Sequence, residues 1–210
     1  MTLVQNTVGP QQGATSAVVS QRAGPNGELI TADGGLRYAE ATRLGQLFTA
    51  STINTGVTIA SLTLTTTAPT SLHNPAGSGK NILLKSLTMG YVSGTLGTGQ
   101  FFLVGHFSTT APTGTAATYS RPTLVGSGAA PVGVPLYTST VPAGGVVMRN
   151  LWISTPILAS SVFVPTDLIV EFEGSIGVAP GYAVSLQGIT AAGSTPLAVF
   201  TWCWQEVPIV

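Results

Sequence analysis

Residues 168–173 read Leu-Ile-Val-Glu-Phe-Glu, and residues 182–187 read Tyr-Ala-Val-Ser-Leu-Gln. In the first, Leu168, Val170 and Phe172 alternate with Ile169, Glu171 and Glu173; in the second, Tyr182, Val184 and Leu186 alternate with Ala183, Ser185 and Gln187. Successive side chains of a strand point to opposite faces, so a period of two marks a strand with one face in a core. Between them, Gly177-Val178-Ala179-Pro180-Gly181 predicts a tight connection. Working outward, Ile82–Tyr91 and Phe101–Phe107 are apolar at both parities, the pattern of central strands covered on both faces. Leu197–Trp204 supplies a last strand. Val57 and Ile59 share one parity and Leu62 and Leu64 the other, so a single strand through them requires a bulge near Ala60-Ser61.

The first 35 residues differ in kind. They are rich in Gly, Gln, Thr and Ser, are broken at Gly9-Pro10 and Gly24-Pro25-Asn26-Gly27, and hold no sustained apolar period. Residues 36–49 predict either a helix burying Leu36, Leu44, Leu47 and Phe48, weakened by Gly45, or a continuation of an extended arm. Six of the fourteen formal charges (Arg22, Glu28, Asp33, Arg37, Glu40, Arg43) fall in this part. The sequence therefore divides into an arm, residues 1–50, and a body, residues 51–210. About eight to ten strands and no helix in the body predict an all-β fold: a jelly-roll-like antiparallel β-sandwich with an N-terminal extended arm.

Composition narrows the function. Only 7% of the 210 residues are charged, where about a quarter is usual, while there are 30 Thr, 18 Ser, 26 Gly and 14 Pro. Hydroxyls rather than charges must solvate such a surface, which suits burial against neighbouring subunits better than life as a free monomer. Seven basic and seven acidic residues without a basic cluster argue against nucleic acid. Cys203 is the single cysteine, which excludes an intrachain disulfide and a Cys-rich metal site. No basic-then-apolar leader begins the chain, so synthesis in the cytoplasm is expected. Gly, Pro, Ser and Thr interrupt the charge-free stretch 174–205 too often for a membrane helix, and an outer-membrane barrel would require export.

Motifs of chemistry are sparse. Asn74-Pro-Ala-Gly-Ser-Gly-Lys-Asn81 ends like a phosphate-binding loop, but G-x-x-x-x-G-K-[ST] has Asn74 for its first glycine and Asn81 for its hydroxyl. The stretch reads instead as a turn: Pro75 sets φ, Gly77 and Gly79 take φ > 0, and Asn74 caps it. His73 and His106 lack zinc-ligand spacing. A Ser-His-Asp grouping depends on the fold, and no G-x-S-x-G elbow occurs. Asp167, Glu171 and Glu173 form a weak acidic candidate for calcium or general-acid chemistry, set against the plainer reading of a solvent-facing strand side. Trp152, Trp202, Trp204, Tyr137 and Tyr182 offer stacking faces for sugars or, more simply, core packing. No cofactor is expected.

The segments Arg-Tyr-Ala-Glu-Ala-Thr-Arg-Leu-Gly (37–45), His-Asn-Pro-Ala-Gly-Ser-Gly-Lys-Asn (73–81), Pro-Gly-Tyr-Ala-Val-Ser-Leu-Gln (180–187) and Trp-Gln-Glu-Val-Pro-Ile (204–209) resemble structural proteins of tailed bacteriophages. The resemblance implies a β-rich virion component without catalytic residues. Size, arm and strand pattern look most like a capsid decoration or cement protein, which clamps neighbouring major capsid subunits. The expected partners are then a second or third copy of the chain, as a dimer or trimer, and the major capsid protein or another virion protein, with neither nucleic acid nor membrane. The expected location is the virion, after synthesis in the host cytoplasm. Arg22, Arg37, Tyr38, Glu40 and Arg43 are the candidate interface residues of the arm. The alternatives are a tail or head-fibre module that binds host surface glycan, and a jelly-roll glycan hydrolase using Glu171 or Glu173.

Overall fold

The computed structural model describes residues 22–23, 29–30, 38–59, 64–94, 99–117, 121–154, 168–190 and 196–209. In chain order the elements are β1 (Arg22–Ala23), β2 (Leu29–Ile30), α1 (Ala39–Arg43), β3 (Leu47–Ser51), β4 (Val57–Thr58), β5 (Thr67–His73), β6 (Lys80–Ser93), β7 (Gly99–His106), β8 (Thr113–Ala116), β9 (Arg121–Pro122), β10 (Val134–Thr140), β11 (Val146–Ser154), β12 (Leu168–Glu171), β13 (Gly177–Val178), β14 (Ala183–Thr190) and β15 (Leu197–Pro208). Every pairing among these strands is antiparallel.

The chain divides into two compact units, residues 1–40 and 41–210. In the first, β1 pairs with β2, Arg22 opposite Ile30. The second is an antiparallel β-sandwich. One sheet has six strands in the order β11-β7-β14-β5-β10-β8; the other has seven, ordered β12-β6-β15-β3-β9, with β13 also on β6 and β4 on β15. Leu47–Ser51 is therefore a strand of the sandwich, paired with β15 from Gln205 to Thr201.

The two inner faces supply one core. Phe48, Ile82, Leu84, Leu87, Met89, Phe200, Trp202 and Trp204 come from the seven-stranded sheet; Leu72, Phe101, Leu103, Val184 and Leu186 come from the six-stranded sheet. Burial along β15 alternates strictly, so Ala198, Phe200, Trp202, Trp204 and Glu206 all point inward. A hydrogen-bonded chain links the sheets through this core: Trp202 Nε1–H donates to Thr70 Oγ1 at 2.9 Å, and the Thr70 hydroxyl donates to the Leu136 carbonyl at 2.9 Å. Trp202 is thereby buried without an orphaned donor, unlike Trp152, whose Nε1–H has no hydrogen-bond partner among the described residues.

Two elements depart from the sequence reading for local reasons, and a third lies partly outside the described residues. The expected helix over 36–49 stops after five residues, because Gly45 turns left-handed at φ +65 and the Gly45 and Gln46 amides close on the Thr42 and Ala41 carbonyls. Leu44 is left 46% exposed, and Leu47 and Phe48 enter the core from a strand instead; Leu36 lies outside the described residues. The strand expected through 57–64 is described only as Val57–Thr58, and residues 60–63 lie outside the described part. On β6 the two apolar parities have a different origin from the one expected. Pairing with β15 runs Ser86↔Cys203 and then Leu84↔Trp204, leaving Lys85 as an extra residue. This bulge switches parity, so Ile82 and Leu84 on one side of it and Leu87 and Met89 on the other all reach the same core.

Candidate functional site

The arm candidates fall on separate elements. Arg22 lies on β1, Glu40 and Arg43 on α1, and half-buried Tyr38 just before α1; Arg37 is outside the described residues.

The acidic candidates do not form a paired strand face. Glu171 is the exposed last residue of β12, and Asp167 lies outside the described residues. Glu173 sits in the following turn, in a left-handed conformation at φ +55. The strand ends there because the Lys85 carbonyl, at the bulge, accepts both the Phe172 and Glu173 amides and bends the chain. Arg149 of β11 also holds this corner: Nη1 donates to the Glu171 carbonyl at 3.2 Å, and its guanidinium lies 5.4 Å from the Phe172 ring centre. Among the described residues no three His, Cys, Asp or Glu side chains gather into a metal-sized group.

The loop at residues 74–81 is a turn, with Gly77 at φ +75 and Gly79 at φ +69. Asn74 is fully buried; its Nδ2 donates to the Lys80 and Val178 carbonyls at 2.8 Å each, and its Oδ1 accepts the Ser78 hydroxyl at 2.7 Å. Lys80 is committed to Glu206, Nζ to Oε2 at 3.0 Å. Glu206 Oε1 accepts the Val132 amide at 2.7 Å, the Gly133 amide at 3.0 Å and Trp204 Nε1–H at 3.2 Å. A carboxylate so satisfied is a clamp between β15 and the chain entering β10, and neither a phosphate site nor an acid catalyst follows from it. Gly133 is required for the approach: a Cβ there would lie 2.9 Å from both Ile82 Cδ1 and Trp204 Nε1.

Sequence reasoning missed a polar row on the outer face of the six-stranded sheet. Ala183 of β14 pairs with His73 on β5 and with His106 on β7, so two histidines 33 positions apart flank one alanine. One step along β14, His106 Nε2 lies 2.8 Å from Ser185 Oγ, and His106 Nδ1 lies 2.9 Å from the Pro142 carbonyl. Gln187 Nε2 reaches Ser185 Oγ at 3.4 Å. The alternation over 182–187 assigned this side to polar residues, yet Ser185 is 0% and His106 3% exposed. Both faces of β14 are covered.

A serine within hydrogen-bond reach of a histidine is the first half of a nucleophile. Here Ser185 is fully buried and His106 nearly so, and their hydrogen bond ties β14 to β7. Burial holds both histidines below the usual imidazole range; for His106 it outweighs the opposing hydrogen bond to Pro142. Burial likewise pushes the Cys203 thiol up, against the nearby Lys85 charge and a hydrogen bond with Ser86. The thiol is therefore a poor nucleophile.

The aromatic candidates resolve into the core. Trp152, Trp202 and Trp204 are buried, with Phe48 stacked on Trp204 and Phe101 edge-on to Trp152, ring centres 6.0 Å apart in each case. Tyr137 and Tyr182 are half-buried against the same cluster. None of the three tryptophans presents a face to a sugar. Apolar side chains do reach solvent along β11, where Val146 is 52% and Met148 45% exposed, and Phe107 beside them is 66% exposed. Compared with family models, curated proteins and solved structures, the chain finds no match in any of the three.

Proposed function

We propose that this chain is a non-enzymatic structural protein of a phage particle, working as a homo-oligomeric capsid decoration protein that stabilises contacts between major capsid subunits. The observation that carries the reading is β11. Among the described strands it is an edge strand with β7 on one side only, and Val146, Val147 and Met148 are exposed in succession, so both faces of its first part meet solvent. Edge strands of free monomers are usually guarded by charge or proline, and these three residues offer neither. Such an edge is suited to burial against another subunit, where uncharged groups desolvate at lower cost than ionised ones.

The strand order supports a jelly-roll-like reading. β14 inserts between β5 and β7, and β12 and β13 return to β6, so late strands lie beside early ones in both sheets, as nested Greek keys require. Many copies on a symmetric shell would each need only a standard-sized contact, because multivalency multiplies modest affinities.

Sedimentation of the purified protein, alone and mixed with undecorated phage shells at matched salt, tests the proposal. The expected result is a closed oligomer that binds shells and saturates at a fixed number of copies per shell. An oligomer that ignores shells moves the assignment to a tail or fibre component, and a monomer that binds nothing overturns it.

A further inference from the structure

The connection from β10 to β11, Val141–Gly145, is fastened onto the sheet. Val141 is buried, and its amide donates to the Thr66 carbonyl at 2.7 Å. Gly145 packs so closely that a Cβ there would lie 2.5 Å from Val104 Cγ1 and 2.8 Å from His106 Cε1. Between them, the Pro142 carbonyl meets His106 Nδ1 at 2.9 Å. A carbonyl only accepts, so Nδ1 carries the imidazole proton and Nε2 is left as an acceptor for the Ser185 hydroxyl. The hydrogen bonds then run in one direction: Gln187 to Ser185, Ser185 to His106, His106 to Pro142. That direction requires a neutral ring.

We propose that Val141–Gly145 is an acid-released strap: a proton taken up at His106 Nε2 removes the acceptor for Ser185 and puts a charge on a buried ring, which turns out to solvent, gives up its Nδ1–H bond to Pro142 and so frees the connection, with the start of β11, from β7. The surroundings cannot absorb the new charge. Among the described residues on this face, β7 presents Phe102 and Val104, β11 presents Val147 and Asn150, β14 presents Ala183, Ser185 and Gln187, and β10 presents Val134 and Leu136, none of which ionises. β5 presents Ser71 and His73, and the strap itself holds no titratable side chain. His73, beyond Ala183, adds positive charge if it titrates at all. Arg149 of β11 is directed to the Glu171 carbonyl and the Phe172 ring.

The sign follows from burial. His106 in the closed strap titrates below its released value of about 6.5, so the released form binds more protons in between. The strap holds fully above about pH 6.5 and loosens as pH falls from there towards the closed-state value.

Hydrogen–deuterium exchange of the full-length protein tests this, with rates over residues 141–150 corrected for intrinsic pH dependence. Opening should rise by up to about tenfold per pH unit below about pH 6.5, while β15 stays protected. His106→Gln, which can still donate to Pro142 but never charges, should flatten the profile, and His73→Gln should leave it steep. A flat profile in the wild-type protein, or an equally steep one in His106→Gln, overturns the strap. A second readout needs no variant: ring ¹⁵N shifts should report the Nδ1-protonated neutral tautomer of His106 at pH 7.5, and the Nε2-protonated tautomer would refute it.

Discussion

β15 and β11 are both long, apolar and nearly free of charge, and the fold uses them in opposite ways. β15 lies between β6 and β3, and every second side chain from Ala198 to Glu206 is buried. Among the described strands β11 has β7 on one side only, and Val146, Val147 and Met148 at its start stand in solvent. Apolar composition therefore does not distinguish a core strand from an exposed edge strand. Position does: a second neighbour strand and an opposing sheet remove the side chains of β15 from water, whereas on β11 only the far part reaches the core, where Trp152 packs edge-on to Phe101.

Breaking the buried member should have the largest effect. Trp202→Ala removes one of the largest side chains of the core together with the donor to Thr70, and should cost about 3–5 kcal/mol in chemical denaturation. Glu206→Ala strands the amides of Val132 and Gly133 and the Trp204 indole, at about 2–4 kcal/mol. Glu206→Gln keeps an acceptor for them and should cost only about 1–2 kcal/mol, which sharpens the assignment of Glu206 to those donors rather than to Lys80. The double variant Val147→Lys/Met148→Lys should change monomer stability by less than about 0.5 kcal/mol while converting any oligomer to monomer in sedimentation. A stability loss there comparable to that of Trp202→Ala would place β11 in the core class and end the contrast.

The legible part of the fold was local. Leu168–Val170 and Val184–Leu186 show their strands by period, and Asn74–Gly79 shows its turn by Asn, Pro and two glycines, each of which acts on its own backbone. What was hidden depends on register between distant strands. The Lys85 bulge counterfeits a doubly buried strand, because one inserted residue reverses parity as effectively as a second core would. Ser185 and His106 meet because Ala183 pairs with His106, and no spacing within the chain encodes that match. Glu206 did carry a signal: it shares parity with Trp202 and Trp204, so a strand continued two residues past Trp204 had to bury it. Glu173 shows the reverse error, where alternation ran past a strand that had already ended.

The central position of β15 also orders events during synthesis. Ser51 on β3 bonds through its hydroxyl to Thr201, 150 positions later, so at about 5–20 residues per second it waits roughly 8–30 s for that partner. Over that interval the inward faces of β3 and β6 lack the strand that joins them, and the nascent chain presents Phe48, Ile82 and Leu84 to whatever is near the ribosome. A chaperone or a pause late in translation would act on yield through this one strand, without touching the stability of the finished sandwich.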